Sequence, residues 1–341
     1  MKATCIITSI FPPTPAVASF ATAAEFDSVI VVGDRKSPAT YPLDNARFLS
    51  LAEQERLPWR IVATLPRDHY ARKMVGYLEA AAAGADILFD TDDDNCLVAG
   101  RRGDIWRADC RLEIGPAAAG LQFVNVYRHF TSQFIWPRGL PLECITASAV
   151  ERPEATPAAT PPAIGVWQGL ADGDPDVDAV YRLTCNRACT FDDAPAVTLA
   201  PGVVCPFNSQ NTAFRRALLP LMYLPAFVSF RYTDILRGLV AQPILWAAGL
   251  RLCFTAATVF QDRNVHNYLK DFEAEVPMYL TGQRALETAA AATTSTATVA
   301  DNLRAVYAAL ERGGIVPARE LPLLEAWLVD CEAALAATTS G

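Results

Sequence analysis

Short β-branched, apolar runs alternate with helix-like segments from Ala3 to Asn95, and this alternation restricts the chain to few folds. Residues 3–10 (ATCIITSI) read as a buried strand, followed by a turn at FPPTP and a short helix over Ala16–Phe26. Asp27–Gly33 (DSVIVVG) is a second strand, and Ser50-Leu51-Ala52-Glu53 has the spacing of a capping box that opens a helix to about Leu57. Trp59–Leu65 is expected to be the third strand. Asp68 is expected to cap a helix that carries Met74, Tyr77, Leu78 and Ala81 on one face and stops at Gly84. A last strand, Asp86–Phe89, then runs into DTDDDN. Such alternation predicts an α/β fold with a mostly parallel, doubly wound sheet, whose right-handed crossovers put the strand ends on one edge. Ligands bind at that edge.

Asp90, Asp92, Asp93 and Asp94 put four carboxylates within five residues at this edge. In isolation such a run reads as a solvated acidic turn. At a strand end it suits Mg²⁺ or Mn²⁺, which take hard oxygen ligands. Arg72 and Lys73 lie in the helix just before the acid-bearing strand. Helix N-termini and paired cationic side chains attract phosphate, so the two features together suggest a metal–diphosphate site.

At 341 residues, 52% hydrophobic and 19% charged, the chain can bury a sizeable core. The net charge of −8 argues against a nucleic-acid binder. Nine irregularly spaced cysteines, with only Cys185 and Cys189 close together, are expected to be reduced thiols with no zinc site. The N-terminal run reads as a strand rather than a signal peptide, and no window is apolar enough to span a membrane. A cytoplasmic setting is therefore expected.

Further along, residues 149–163 form a proline-rich exposed loop, and Gly165–Thr184 passes from a strand into an acidic turn. Asp172, Asp174, Asp176 and Asp178 there form a second reservoir of acids, with Asp174 or Asp176 expected to cap the following helix. Asn208, Gln210 and Asn211 lie in an amide-rich segment, a helix starts near Thr233, and QDRNVH ends at His266. An Ala/Thr stretch, 288–300, is expected to link to two closing helices near 299–312 and 319–337.

The blocks ITSIFPPTPAVASFA, VIVVGDRKSPATY and YARKMVGYLEAAAAGADILFDTDDDN resemble the STELLO-type glycosyltransferases. So do the later blocks VWQGLADGDPDVDAVYRLT, PFNSQNTAF and SFRYTDILRGLVAQPILWAAGLRLCF with FQDRNVHNYLKDFEAE. More distantly, the set is similar to the plant reversibly glycosylated polypeptides, which are UDP-arabinopyranose mutases. The resemblance implies a GT-A-like (Rossmann-like) mixed sheet over residues 1–262 and a helical extension over 263–341. It implies metal-dependent transfer of a sugar from a nucleotide sugar, a UDP-sugar first of all, to a hydroxyl acceptor on a glycan or glycolipid, as in cell-surface glycan synthesis. A UDP-sugar mutase, a self-glycosylating protein and a non-catalytic scaffold are the alternatives. The plant proteins' Golgi location is not carried over, because their N-terminal anchor is not matched here.

The same resemblance implies roles for individual residues. Asp92 and Asp94, or the overlapping Asp90 and Asp92, hold Mn²⁺ or Mg²⁺, with His266 as a further ligand. Asp93 faces the sugar or ribose, Asp34 the nucleoside, and Arg72 and Lys73 the base or phosphate. Asn208 and Gln210 bond a sugar or ribose, and Trp167 stacks on a sugar. Asp234 is the first choice for the carboxylate that deprotonates the acceptor in an inverting transfer. In the second reservoir one of the acids binds donor-sugar hydroxyls or the acids only cap the helix, and Asp174 stands with Asp234 as a catalytic candidate.

Overall fold

The computed structural model describes residues 1–101, 103–262 and 267–337. The strands are β1 (Ala3–Thr8), β2 (Ser28–Val32), β3 (Ala46–Leu49), β4 (Ile87–Asp92), β5 (Asn95–Leu97), β6 (Leu112–Ile114) and β7 (Gln122–Phe123). They continue with β8 (Thr156–Pro157), β9 (Ile164–Gly173), β10 (Val197–Leu199), β11 (Val203–Val204), β12 (Asn211–Arg215) and β13 (Arg251–Gln261). Among the described residues one mixed, mostly parallel sheet runs β3-β2-β1-β4-β12-β9-β13-β10-β6-β8, with β5 beside β13. The expected α/β architecture, with helices closing the chain, is present.

Register explains why this sheet makes a site at one edge. Thr8 of β1 pairs with both Val32 of β2 and Asp92 of β4, so three parallel strands finish level. β12 runs antiparallel to β4, with Asn211 opposite Thr91, and brings the Asn208–Gln210 loop to the same edge. β9 and β13 are parallel to each other and end together at Gly173 and Gln261.

Both sheet faces are covered. On one, Val17 and Phe20 of the helix Pro15–Ala21 pack with Val29, Val31 and Phe89. On the other, the helix Lys73–Ala82 packs over Ile6, Ile30 and Leu88, joined by the helix Thr233–Ala247 and the C-terminal helices. Gly76 allows a close approach to the sheet, since a Cβ there would lie 2.7 Å from side-chain carbons of Ile6 and Val32.

Several local expectations are corrected. The third parallel strand is β3, while Ile61–Thr64 is a helix. β3 is a short, half-exposed edge strand, so its apolar pattern is faint. The helix instead has its first amides bound from far away, because the Asp330 carboxylate accepts from Arg60 N (3.0 Å) and Ile61 N (2.8 Å). Asp68 sits at positive φ and pairs with Arg35; His69 Nδ1 caps the turn that leads into Lys73–Ala82 by accepting from Ala71 N. Neither Asp174 nor Asp176 caps the helix Ala179–Thr184, because Asp178 does so through Tyr181 N. The cysteines are not all free thiols: Cys110 and Cys253 form a disulfide that no sequence spacing announces, their separation being 143 residues.

The closing helices are Tyr268–Ala292, Val299–Arg312 and Glu320–Ala336. The first of these takes in the start of the Ala/Thr stretch, leaving 293–298 as the link. No helix of the described residues is long and apolar enough to cross a membrane.

Candidate active site

β4 carries the first acids in strand geometry, so side chains alternate between faces. Asp90 and Asp92 face the layer of Lys73–Ala82, whereas Thr91 turns the other way and donates through Oγ1 to Gln210 O. Asp90 is wholly buried and paired on both oxygens. Lys73 Nζ donates to Oδ1 at 2.8 Å, and Arg237 Nη1, from the helix Thr233–Ala247, donates to Oδ2 at 2.8 Å. Lys73 Nζ also reaches Thr91 O (2.6 Å) and Asp92 Oδ1 (3.0 Å), which engages all three of its protons. Burial works to lower the pKa of this ammonium, but Asp90 and Asp92 outweigh it and raise the pKa.

Asp92 differs from Asp90 in keeping a side chain about 35% exposed at the cleft. Desolvation pushes it up to about 6; Lys73 opposes the shift, and Asp94 and Asp90 add to it. Asp93 is also raised by burial, against the bond it accepts from Ser9 Oγ (2.5 Å). Asp94 accepts from Gln261 Nε2 at 3.0 Å, and Gln261 is joined in turn to Gln210.

The cleft has two lobes that share Thr8, Tyr70, Asp93 and Phe230. One, about 270 Å³, is lined further by Asp34, His69 and Arg72. The other, about 230 Å³, holds Asp92, Asp94, Arg138, Ser209, Asp234 and Gln261. Asp34 is anchored in the first lobe, accepting from His69 N at 3.0 Å. Arg72 is 2% exposed; its Nε donates to Gln54, and its Nη2 has no hydrogen-bond partner. A larger hollow of about 370 Å³, between Arg101–Asp109 and Thr255–Thr258, lies apart from this cleft. Its Arg101 and Arg107 are paired with Asp172 and Asp104.

A second ionic group forms the far wall. Arg138 directs Nε and Nη2 to Asp176 (2.8 and 2.9 Å) and Nη1 and Nη2 to Asp234 (3.1 and 2.9 Å). Nη1 also bonds Arg231 O, so the guanidinium's five N–H groups are all engaged. Asn208 Nδ2 donates to Asp176 Oδ2 at 2.8 Å, and Ser209 joins Tyr70 to the edge of Asp234.

The residues expected at the site therefore separate. Asp34, Arg72, Asp92, Asp93, Asp94 and Asp234 line the cleft. Lys73 sits behind the acids with no exposure, instead of facing a base or phosphate. Asn208 and Gln210 are buried and bonded internally, to Asp176 and Gln261. Trp167 is buried under Arg215, and Asp174 pairs with Arg182. His266 lies outside the described residues. Sequence reasoning missed Ser9, Tyr70, Arg138, Ser209 and Arg237. Only Arg237 left a local signal, three residues after Asp234 on the same helix.

The donor set can be tested against a divalent ion. Among the described residues no three His, Cys, Asp or Glu side chains converge to hold a metal alone. Mg²⁺-type sites often use one or two carboxylates together with substrate phosphates and water, however. Asp92 and Asp94 beside an open lobe fit that pattern.

A family model described as STELLO glycosyltransferases matches residues 231–333, from Arg231 at the cleft through the closing helices. Two Arabidopsis thaliana proteins are similar over a longer range. The probable glycosyltransferase STELLO2 is 33% identical over 257 residues, 70% of this chain and 33% of its own length. The probable glycosyltransferase STELLO1 is 33% identical over 236 residues, 65% of this chain and 30% of its own. The chain thus spans about a third of the length of these relatives. The family match over residues 231–333 and the 33% identity over most of its residues make the chain similar to the STELLO glycosyltransferases.

Proposed function

We propose that the cleft transfers a glycosyl group from a nucleotide sugar, a UDP-sugar, to a hydroxyl acceptor, with Mn²⁺ or Mg²⁺ held by Asp92 and Asp94. The observation that carries this reading is Asp92, part-exposed in one lobe and backed by buried cations, beside a second lobe lined by Asp34, His69 and Arg72. Asp34 supplies an acceptor in that lobe, and the buried, unpartnered Nη2 of Arg72 lies in its wall. Asp93, shared by both lobes, is positioned for the ribose or sugar hydroxyls. A bound divalent ion supplies positive charge that stabilises the departing diphosphate.

In the second lobe, Asp234 takes the proton of the acceptor hydroxyl as its oxygen attacks the anomeric carbon and the bond to the diphosphate breaks. Both Asp234 oxygens accept from Arg138, so taking up the proton displaces one of those bonds. Ser209 and Tyr70 sit between Asp234 and the acids and orient the hydroxyl.

Thermal melting with a panel of nucleotide sugars, with and without Mn²⁺, tests the reading. A donor at about 100 times its Kd stabilises the folded state by about 2.7 kcal/mol. A Mn²⁺-dependent rise with a UDP-sugar is expected; a flat response to UDP-, GDP-, CMP- and dTDP-sugars sinks the proposal.

A further inference from the structure

Four neighbouring carboxylates need positive charge among them, and the obvious source is a bound metal ion. In this fold the chain supplies its own. Lys73 Nζ lies, fully buried, between Asp90 Oδ1 at 2.8 Å, Asp92 Oδ1 at 3.0 Å and Thr91 O at 2.6 Å. That is a cation in an oxygen cage, and Arg237 closes the other oxygen of Asp90. We infer that Lys73 is the resident cation of the acid cluster: it holds Asp90 as an internal strut and positions Asp92 for the cleft.

Two consequences follow from the geometry. Asp90 is not a metal ligand, because each of its oxygens already accepts from a buried cation. The loop keeps its shape without metal, because Lys73 ties Asp90, Thr91 and Asp92 together from behind. Lys73 is thus a positioning residue that acts through Asp92. Groups that orient metal ligands from outside the coordination shell commonly change metal affinity 10–100-fold when removed. The metal half of the inference rests on the function proposed above; the structural half does not.

The full chain is tested as wild type, Lys73→Met and Lys73→Met/Asp90→Asn, by thermal melting in EDTA and by Mn²⁺ titration followed by electron paramagnetic resonance. Wild type is expected to melt at the same temperature with or without EDTA. Lys73→Met leaves buried acids uncompensated and is expected to lose on the order of 5 °C or more, or to fail to fold. The double variant removes one charge of each sign, so it is expected to fold and recover most of that loss. With Asp92 no longer tethered, it is expected to bind Mn²⁺ about tenfold more weakly than wild type.

An EDTA-induced drop in wild type as large as that of Lys73→Met overturns the assignment, as does wild-type Mn²⁺ affinity in the double variant. Failure of Asp90→Asn to restore melting overturns the role of Lys73 as a counter-charge. A free-Mn²⁺ signal that wild type leaves undiminished, meaning no binding, overturns the metal-dependent reading and the metal half of this one. The melting series then decides the structural half alone.

Discussion

The two ionic groups facing each other across the cleft are built differently. Around β4, Lys73 and Arg237 sit behind four acids, and Asp92 is left part-exposed. Across the cleft, Arg138 lies between Asp176 and Asp234 and bonds both carboxylates twice. The first arrangement leaves negative charge pointing into the cleft. The second satisfies one guanidinium completely and works as a clamp joining the segment before Gly139, the turn after β9 and the helix Thr233–Ala247. Two acid-rich stretches that look equivalent in sequence thus become a ligand-facing group and a tie.

The largest test of this contrast is Arg138→Met. Removing one partner of a buried ion pair leaves charge without compensation and costs about 3–5 kcal/mol. Chemical denaturation should show that loss; a change below 1 kcal/mol would mean the clamp is not structural. Asp92→Ala should do the opposite, keeping the fold while lowering kcat/KM for donor-dependent transfer. A metal held by Asp92, as proposed, would supply several kcal/mol of charge stabilisation, so the expected loss is about 10²-fold or more. Unchanged kinetics would place the reacting diphosphate elsewhere.

A smaller test uses pH. The Asp92 pKa is raised from its ordinary value to about 6. Between roughly pH 4 and 6 the folded state therefore holds a proton that the unfolded state has released. This acid's unfavourable contribution is absent at low pH, grows as pH rises through that window and is complete above 6. Asp92→Asn should gain about 1 kcal/mol over wild type at pH 7.5, a figure reduced for solvent screening of the exposed side chain, and nothing at pH 4. Mn²⁺ binding should move the other way, weakening as pH falls through about 6. Parallel trends for stability and metal binding would break the distinction between the two groups.

The smallest effect is expected at Asp174. It pairs with Arg182 near the surface, and Asp174→Asn should cost under about 1 kcal/mol with no change in donor binding. A large kinetic effect would return Asp174 to the donor sugar.

The sequence exposed the acids far better than their partners. DTDDDN follows an apolar strand, so the parallel edge and the carboxylates on it were readable from local pattern. Whether an acid is ligand-facing or neutralised depends on residues distant in the chain: Arg237 meets Asp90 across 147 positions, and Arg138 meets Asp234 across 96. The same limit explains β3 and Ile61–Thr64. The edge strand lacks a buried face, and the helix owes its start to Asp330. Among the closing helices, Val299–Arg312 was the most legible, because it carries a clear amphipathic period and Thr298 caps it through Asp301 N.

That bond between Asp330 and the amides of Arg60 and Ile61 also bears on how the protein is made. Residues 60–72 lead directly into the first lobe of the cleft, with Arg72 directed back at Leu65 O. On a ribosome, the first half of the sheet emerges long before residue 330. Until then the two amides have only water as a partner. A helix some 270 residues further along the chain thus holds the segment that leads into the first lobe of the cleft.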